Sequence, residues 1–362
     1  MENNILDVGV ISCSGMAQSH MLAVKAHEQA RLVAICDVDA EKLREAGEKM
    51  EVAARYTDYL DLLRHPGLDA VIIVTPDQLH REIVEAALDA NLHVLCEKPL
   101  ALTREDLNAI VAAGKKSDRK LMVGQICRFT PGFVAAKKLI DEGQIGELYF
   151  IESEYAHDYQ QILSENGWRS DPIRNGVVGG GCHAVDLLRW LAGDPTEVAA
   201  YGVHKMLPIV NYDDCTIAIL KFPGNVIGKV FVSTGCKRNY TMRSVFYGTK
   251  GTILCDNTTP HITLFREEDG KPSSASEPHQ IDVQLANHNT FGEFRAFADA
   301  ILNDTPVPTD AEQGARTIAT CMAIVQYASE GHPVIRYNKL RKFRKRRIET
   351  VSKTRDKVSV IW

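Results

Sequence analysis

No apolar run in this sequence approaches the roughly 20 residues that a membrane span needs. The first residues are polar and acidic, with no basic stretch leading into an apolar segment, so no signal peptide is expected either. Paired cysteines are also missing. Cys13, Cys36, Cys96, Cys127, Cys182, Cys215, Cys236, Cys255 and Cys321 are nine, an odd number, scattered, without a single C-x-x-C. Close-spaced ligand pairs for zinc are therefore absent and no metal is expected. Free, mostly buried thiols in a reducing cytoplasm are the reading instead. Charge of one sign is lacking as well: 42 Lys and Arg face 47 Asp and Glu, for a net charge of −5. Nothing global attracts nucleic acid or an anionic membrane surface. There is no internal repeat.

What is present suits a globular chain: 362 residues, 45% hydrophobic and 25% charged, long enough for two domains. The first third alternates apolar strands with helical patterns. LDVGVIS (6–12), RLVAICD (31–37), AVIIVT (70–75), HVLCEKP (93–99) and LMVGQ (121–125) read as strands; residues 15–30 and AEKLREAGEKM (40–50) read as helices. Continuous Val/Ile-rich strands separated by helices predict a doubly wound parallel sheet covered on both faces. After about residue 126 the pattern changes. A helix at 131–141 is followed by longer, alternating strands at 148–157, 196–203, 215–222, 226–235, 243–255 and 261–266, with turns such as PGN (223–225) and GTKG (248–251). These predict an α+β domain built on a large, mostly antiparallel open sheet, with helices at 183–193, 290–302 and 310–329. The expected organisation is a nucleotide-binding domain over 1–125, a substrate and oligomerisation domain over 126–338, and a densely basic tail over 339–362. Taken alone the tail could touch RNA or an acidic partner; a solvated tail, or a helix at a subunit edge, is the preferred reading.

The loop VGVISCSGMAQSH (8–20) resembles the dinucleotide fingerprint G-x-G-x-x-G/A but carries Ser12 and Ser14 where the first two glycines belong. The first glycine permits a tight strand-to-helix turn, the second lets backbone approach the pyrophosphate, and the third allows close helix–strand packing. Ala17 satisfies the third. Ser12 is expected to adopt a strained backbone angle. Ser14 can donate its hydroxyl to a phosphate instead, and Gly15 and Met16 open a helix whose free amides attract an anion. Asp37 ends the second strand about 20 residues on, where a carboxylate binds ribose hydroxyls and repels a 2′-phosphate. NAD is therefore expected in preference to NADP.

Later segments decide the family. Glu97-Lys98-Pro99 in HVLCEKPL (93–100), TPDQLH (75–80), VGQICRFTP (123–131), IDEGQIGEL (140–148), GWRSDP (167–172), GGGCHAVDLLRWLAG (179–193) and SEGHPV (329–334) resemble, in order, motifs of the Gfo/Idh/MocA family, which includes glucose–fructose oxidoreductase and inositol dehydrogenase. The resemblance covers all but the tail after about 338. It implies a Rossmann domain, a second domain whose open sheet often serves oligomerisation as a homo-dimer or homo-tetramer, a nicotinamide cofactor, and a sugar, cyclitol or polyol substrate. By position it implies Lys98 and His183 as the catalytic pair. Thr75, Pro76, His80 and Glu97 would line the cofactor cleft. Gln125 and Arg128 would lie at the nicotinamide end, and Trp168 and Arg169 would reach the cofactor from the second domain.

The residue types suit alcohol oxidation: histidine takes a hydroxyl proton near neutral pH, and a lysine ammonium stabilises charge developing on the oxygen. Asp186 lies one turn after His183, placed to orient it or to bind a substrate hydroxyl, with an exposed structural Asp as the alternative. Many family members carry an Asp four residues before the histidine; here that position is Gly179. Tyr155, His157 and Asp158, on a neighbouring strand, are candidates to stand in for it or to touch substrate. The favoured activity is NAD-dependent oxidoreduction of a secondary alcohol. The alternatives are an NAD-retaining glycosidase or lyase that oxidises its sugar transiently, and a non-enzymatic cofactor sensor.

Overall fold

The computed structural model describes residues 5–165, 167–267 and 277–330. Six strands form the first sheet: β1 (Leu6–Ile11), β2 (Ala30–Cys36), β3 (Ala54–Tyr56), β4 (Ala70–Ile73), β5 (His93–Glu97) and β6 (Leu121–Gly124). Their order is 3-2-1-4-5-6 and every pairing is parallel. Helices α1 (Gly15–Lys25), α2 (Ala40–Met50), α3 (Tyr59–Leu63), α4 (His80–Asp89) and α5 (Arg104–Lys116) connect them. The central β4 is buried at every residue, as its unbroken AVII run requires of a strand covered on both faces. Helix starts are chemically marked. Asp39 accepts from the amides of Glu41 and Lys42, and Thr103 from that of Asp106.

The second region opens with α6 (Pro131–Asp141), its proline in the first helical turn, where the missing N–H costs nothing. Eight strands follow: β7 (Leu148–Ala156), β8 (Glu197–Val203), β9 (Cys215–Phe222), β10 (Val226–Ser233), β11 (Thr241–Gly248), β12 (Gly251–Asp256), β13 (His261–Arg266) and β14 (His279–Asp282). The sheet order is 14-13-12-11-7-10-9-8, antiparallel except where β10 runs parallel to β7. The stretch expected as one strand over 243–255 is a hairpin, folded at its own GTKG turn. Between β7 and β8 lie α7 (Gln160–Glu165), α8 (Gly176–Gly179) and α9 (Cys182–Ala192). α10 (Thr290–Leu302) and α11 (Ala311–Glu330) close the described chain.

α10 does not stay with the second sheet. Phe294, Phe297 and Ala298 join the buried core formed by Val8, Val10, Met21 and Ile72 of the first domain. The amide of Val123 donates to Thr309 O at 2.7 Å, and the Thr309 hydroxyl donates to Val123 O at 2.6 Å. The segment around 290–310 thus packs onto the nucleotide-binding half although it follows the second sheet in the chain. SEGHPV from Gly331 onward and the basic tail lie outside the described residues. All nine cysteines are free; Cys215 and Cys236 are half-buried and the others buried. Among the described residues no helix is long and apolar enough to cross a membrane.

Candidate active site

The C-terminal ends of the parallel strands converge on one edge, where open α/β sheets bind their ligands. Ser12 follows β1, Asp37 follows β2, Thr75 stands two residues beyond β4, Glu97 ends β5 and Gln125 follows β6. Ser12 has φ of +101°. That left-handed geometry is what the first glycine of the fingerprint normally supplies, and in a serine it costs about 1–2 kcal/mol. Its side chain accepts from the Ser14 amide at 3.2 Å, which partly compensates. Ser14 is exposed and caps α1 without a side-chain hydrogen bond of its own. A Cβ at Gly15 would meet nothing within 4 Å, so the first residue of α1 borders open space. Met16 is half-buried and Ala17 wholly buried against the first-domain core. Asp37 accepts from the amides of Cys13 at 2.7 Å and Asp39 at 2.9 Å, which fixes its carboxylate beside the loop. Thr75 Oγ1 and Gln125 Oε1 are buried with no partner among the described residues. Open helix amides, a fixed acidic group and orphaned polar atoms along one edge fit a dinucleotide.

Glu97 is buried. Its Oε1 lies 2.9 Å from His20 Nε2, and its Oε2 accepts from the Lys98 amide at 3.0 Å. Burial pushes the Glu97 carboxyl up, but the hydrogen bond and charge of His20, with Lys98, outweigh it and bring it down to about 2. Behind it stands Glu293 of α10, fully buried, with neither carboxyl oxygen partnered. Donor atoms of His20, Glu97 and Glu293 lie within 4.8 Å of one another, the one such trio among the described residues close enough to grip a cation. Burial, then the Glu97 charge, holds the Glu293 carboxyl well above its ordinary range.

Lys98 is half-buried and its Nζ reaches Gly179 O at 3.4 Å, across the junction between the domains. His183 is the second residue of α9 and is 2% exposed. Its ring stacks on Tyr155, centroids 6.0 Å apart, and faces His288 at 5.8 Å. Its Nδ1 has no partner among the described residues. Burial, then the charges of Lys98 and His288, hold the imidazole well below its usual range, so it is neutral at physiological pH. The close approach of Tyr155 depends on Gly180, because a Cβ there would fall 2.4 Å from the Tyr155 ring. The Tyr155 hydroxyl bonds Tyr159 at 2.8 Å and His157 Nδ1 at 3.4 Å. Tyr240 completes the ring cluster, 5.0 Å from His157 and 5.5 Å from His288.

Four expected site residues are committed elsewhere. Asp186 neither orients His183 nor sits exposed. It is fully buried and accepts from Arg128 Nε and Nη2 at 2.8 and 2.7 Å and from Thr317 at 2.9 Å. Arg128 is consumed by the same pair, because a buried guanidinium requires a buried counter-charge. His80 is fully buried; its ring nitrogens lie 2.9 Å from Pro99 O and 3.2 Å from Thr75 O. It holds the cleft's two walls together from beneath and does not line the cleft itself. Asp158 is taken by Lys237 at 3.2 Å.

Trp168 lies between the guanidiniums of Arg169 and Arg174, each 4.5 Å from its ring. Gln78 donates to Trp168 O and to Asp171, which ties this segment to the first domain beside Thr75 and Pro76. Arg174 pairs with Asp77, both 5% exposed, and its Nη2 occupies the space that a side chain at residue 179 would need, 2.8 Å from a Cβ placed there. Sequence reasoning missed His20, Glu293, Arg174, Tyr240 and His288. Only the loop position of His288, just before an Asn-capped helix, carried any signal.

Comparison with known proteins agrees with this architecture. Residues 6–125 match the model of the oxidoreductase family with an NAD-binding Rossmann fold, and residues 133–254 match the GFO/IDH/MocA C-terminal domain. A D-apiose dehydrogenase of Paraburkholderia graminis is 31% identical over 332 residues, covering 90% of this chain and 88% of its own. The chain belongs to the Gfo/Idh/MocA family. A myo-inositol 2-dehydrogenase of Thermotoga maritima is 28% identical over 317 residues, 85% of this chain and 91% of its own. A levoglucosan dehydrogenase crystallised with NADH superimposes with a TM-score of 0.84 at 24% identity, over 91% of this chain and 98% of that one. This family member is an oxidoreductase and its cofactor is NAD.

Proposed function

We propose that this enzyme interconverts a secondary alcohol of a sugar, cyclitol or related polyol with its ketone, using Lys98 and His183 as the acid–base pair. The observation that carries this reading is their convergence. The one ammonium at the cleft lacks a carboxylate partner among the described residues, and the one imidazole that opens α9 is neutral with a free ring nitrogen. The amides of Gly15, Met16 and Ala17 with the Ser12 and Ser14 hydroxyls would hold the diphosphate. Asp37 would hold the ribose, and Thr75, Pro76, Glu97, Gln125, Trp168 and Arg169 would frame the nicotinamide half. When bound, NAD supplies the hydride acceptor. Lys98 Nζ donates a hydrogen bond to the reacting oxygen and stabilises its negative charge as the proton leaves. His183 takes that proton. Tyr155 and His157 bracket the substrate.

The test is a screen of sugars, cyclitols and aryl glycosides with added NAD, read at the NADH absorbance. Stoichiometric NADH from a free sugar or cyclitol is the expected result. Glycoside turnover without net NADH, or no turnover with any of them, overturns it.

The second sheet also supports self-association. On its outer face Tyr201 pairs with Ile217, Ile217 with Phe231, Ile227 with Phe150 and Phe150 with Tyr247. Tyr201 is 80% exposed, and Ile217, Ile219 and Ile227 each exceed 40%. A contiguous apolar face of this kind marks an interface, here with a second copy of the chain, giving a homo-dimer or a homo-tetramer.

A further inference from the structure

We propose that Arg174 is a positioning residue for the cofactor: anchored on Asp77, it straps residues 167–174 of the second region onto the wall of the cleft that follows β4, and so sets how long the dinucleotide stays bound. This goes beyond the activity proposed above and rests on one part of that reading, the place given to Trp168 and Arg169 beside the nicotinamide half.

The segment is a run of tight turns. The Ser170 hydroxyl donates to Gly167 O at 2.7 Å, the Ile173 amide to Asp171 Oδ1 at 3.0 Å and the Arg174 amide to Asp171 O at 2.9 Å. Such turns fix its shape but not its place on the molecule. Two neighbouring residues of the turn after β4 supply the place. Gln78 Nε2 donates to Trp168 O at 3.5 Å and to Asp171 Oδ2 at 3.3 Å, and Asp77 pairs with Arg174. Asp77 directly follows Thr75 and Pro76, so the strap is fastened beside the cofactor wall. The two ties differ in kind. Gln78 is exposed, whereas Asp77 and Arg174 are each 5% exposed. A buried pair seldom adds stability over well-packed apolar side chains of the same volume. What it supplies here is position, because a guanidinium bound to a fixed carboxylate is held in direction as well as distance.

Arg174 uses that position twice. Its guanidinium lies 4.5 Å from the centre of the Trp168 ring, as does that of Arg169. Its Nη2 fills the room beside residue 179, 2.8 Å from where a Cβ would stand. A side chain at 179, where many family members carry an aspartate, would displace the anchor. Arg174 therefore acts through its neighbours: it holds Trp168, and with it Arg169. The Arg169 Nε is buried with no partner among the described residues, a donor that a bound cofactor would satisfy. A segment that frames a bound cofactor must move aside before the cofactor leaves, so its ties weigh on release more than on capture.

Stopped-flow fluorescence of NADH with the full chain tests this, on-rates being read from mixing and off-rates from displacement by excess NAD. Arg174→Met alone would leave Asp77 buried without its counter-charge, so it is combined with Asp77→Asn, and calorimetry checks that the double variant is folded. Its NADH off-rate is expected to rise about tenfold or more, equivalent to about 1.4 kcal/mol, with the on-rate little changed. Gln78→Ala removes an exposed tie and should raise the off-rate about threefold, the order of one net hydrogen bond. A merely structural role lowers the share of binding-competent protein, which slows the apparent on-rate and leaves the off-rate alone. That pattern, or off-rates unchanged in both variants, overturns the proposal; if the double variant does not fold, Gln78→Ala decides alone. Arg169→Met reads the underlying placement separately. Unchanged NADH affinity there, with raised off-rates in the strap variants, rejects the place given to Arg169 and keeps the strap. Weakened affinity there, with unchanged off-rates in the strap variants, keeps that place and rejects the strap.

Discussion

Lys98 and Glu293 both lack an ion-pair partner among the described residues, and they call for opposite experiments. Lys98 is poised at the cleft, so Lys98→Ala is expected to lower kcat/KM by about 10³-fold, the order that a positioned acid–base and electrostatic group supplies. Its melting temperature should stay within a few degrees of wild type, because no ion pair is lost. Steady-state kinetics alongside calorimetry decide; an unimpaired variant removes Lys98 from the chemistry. Glu293 is buried without a partner, and its carboxyl in the fold is raised well above its ordinary range. Its contribution to stability is therefore complete below the unfolded value of roughly 4.3 and is lost as pH rises through the folded value. Gln cannot ionise, so Glu293→Gln should melt higher than wild type at pH 8, by about 2–4 °C for each unit by which the folded value is raised, with the gain fading toward pH 4. The titratable and charged neighbours acting on it are His20 of α1, Glu97 and Lys98 at the end of β5, and Cys127. A variant that melts lower at every pH rules out ionisation of Glu293 as a source of instability.

At the scale of elements, the first sheet was legible because buried parallel strands write themselves as uninterrupted Val/Ile runs, and the β1–α1 loop because its turn demands a particular backbone. The positive φ expected at Ser12 is there. The 243–255 hairpin was blurred because both its strands alternate in phase across a four-residue turn. The commitments of Asp186 and His80 could not be read. Their partners, Arg128 with Thr317 and the carbonyls of Thr75 and Pro99, come from other elements, and helical spacing says nothing about them. Lys98 and His183 were singled out through family motifs, whereas His288 and Tyr240 arrive from loops with no periodicity. The exposed strand face gives a prediction at this scale. Ile217→Lys with Ile219→Lys places two cations on the outer row of β9 without touching its buried row of Thr216, Ala218 and Leu220. Light scattering after gel filtration should show the assembled mass fall to that of one 40.2 kDa chain. An unchanged mass moves the interface elsewhere.

For the whole molecule, the two sheets are not independent lobes joined by a linker. α10 leaves the second sheet to fill the core under α1, Thr309 clasps Val123, and Gln78 holds the Trp168 segment. Phe297 is fully buried in that shared core. Phe297→Ala is expected to cost about 3–5 kcal/mol. Because α10 serves both halves, calorimetry should still record one transition, shifted down, and not the early melting of one half alone. Two resolved transitions would show that the halves fold separately.

His80 lies beneath all of this, with one ring nitrogen on the wall that follows β4 and the other on the wall that follows β5. The side of the groove that reads the nucleotide and the side that carries the reactive ammonium are thereby riveted through a single imidazole. Whatever holds the Thr75 turn therefore also holds the backbone one residue from Lys98.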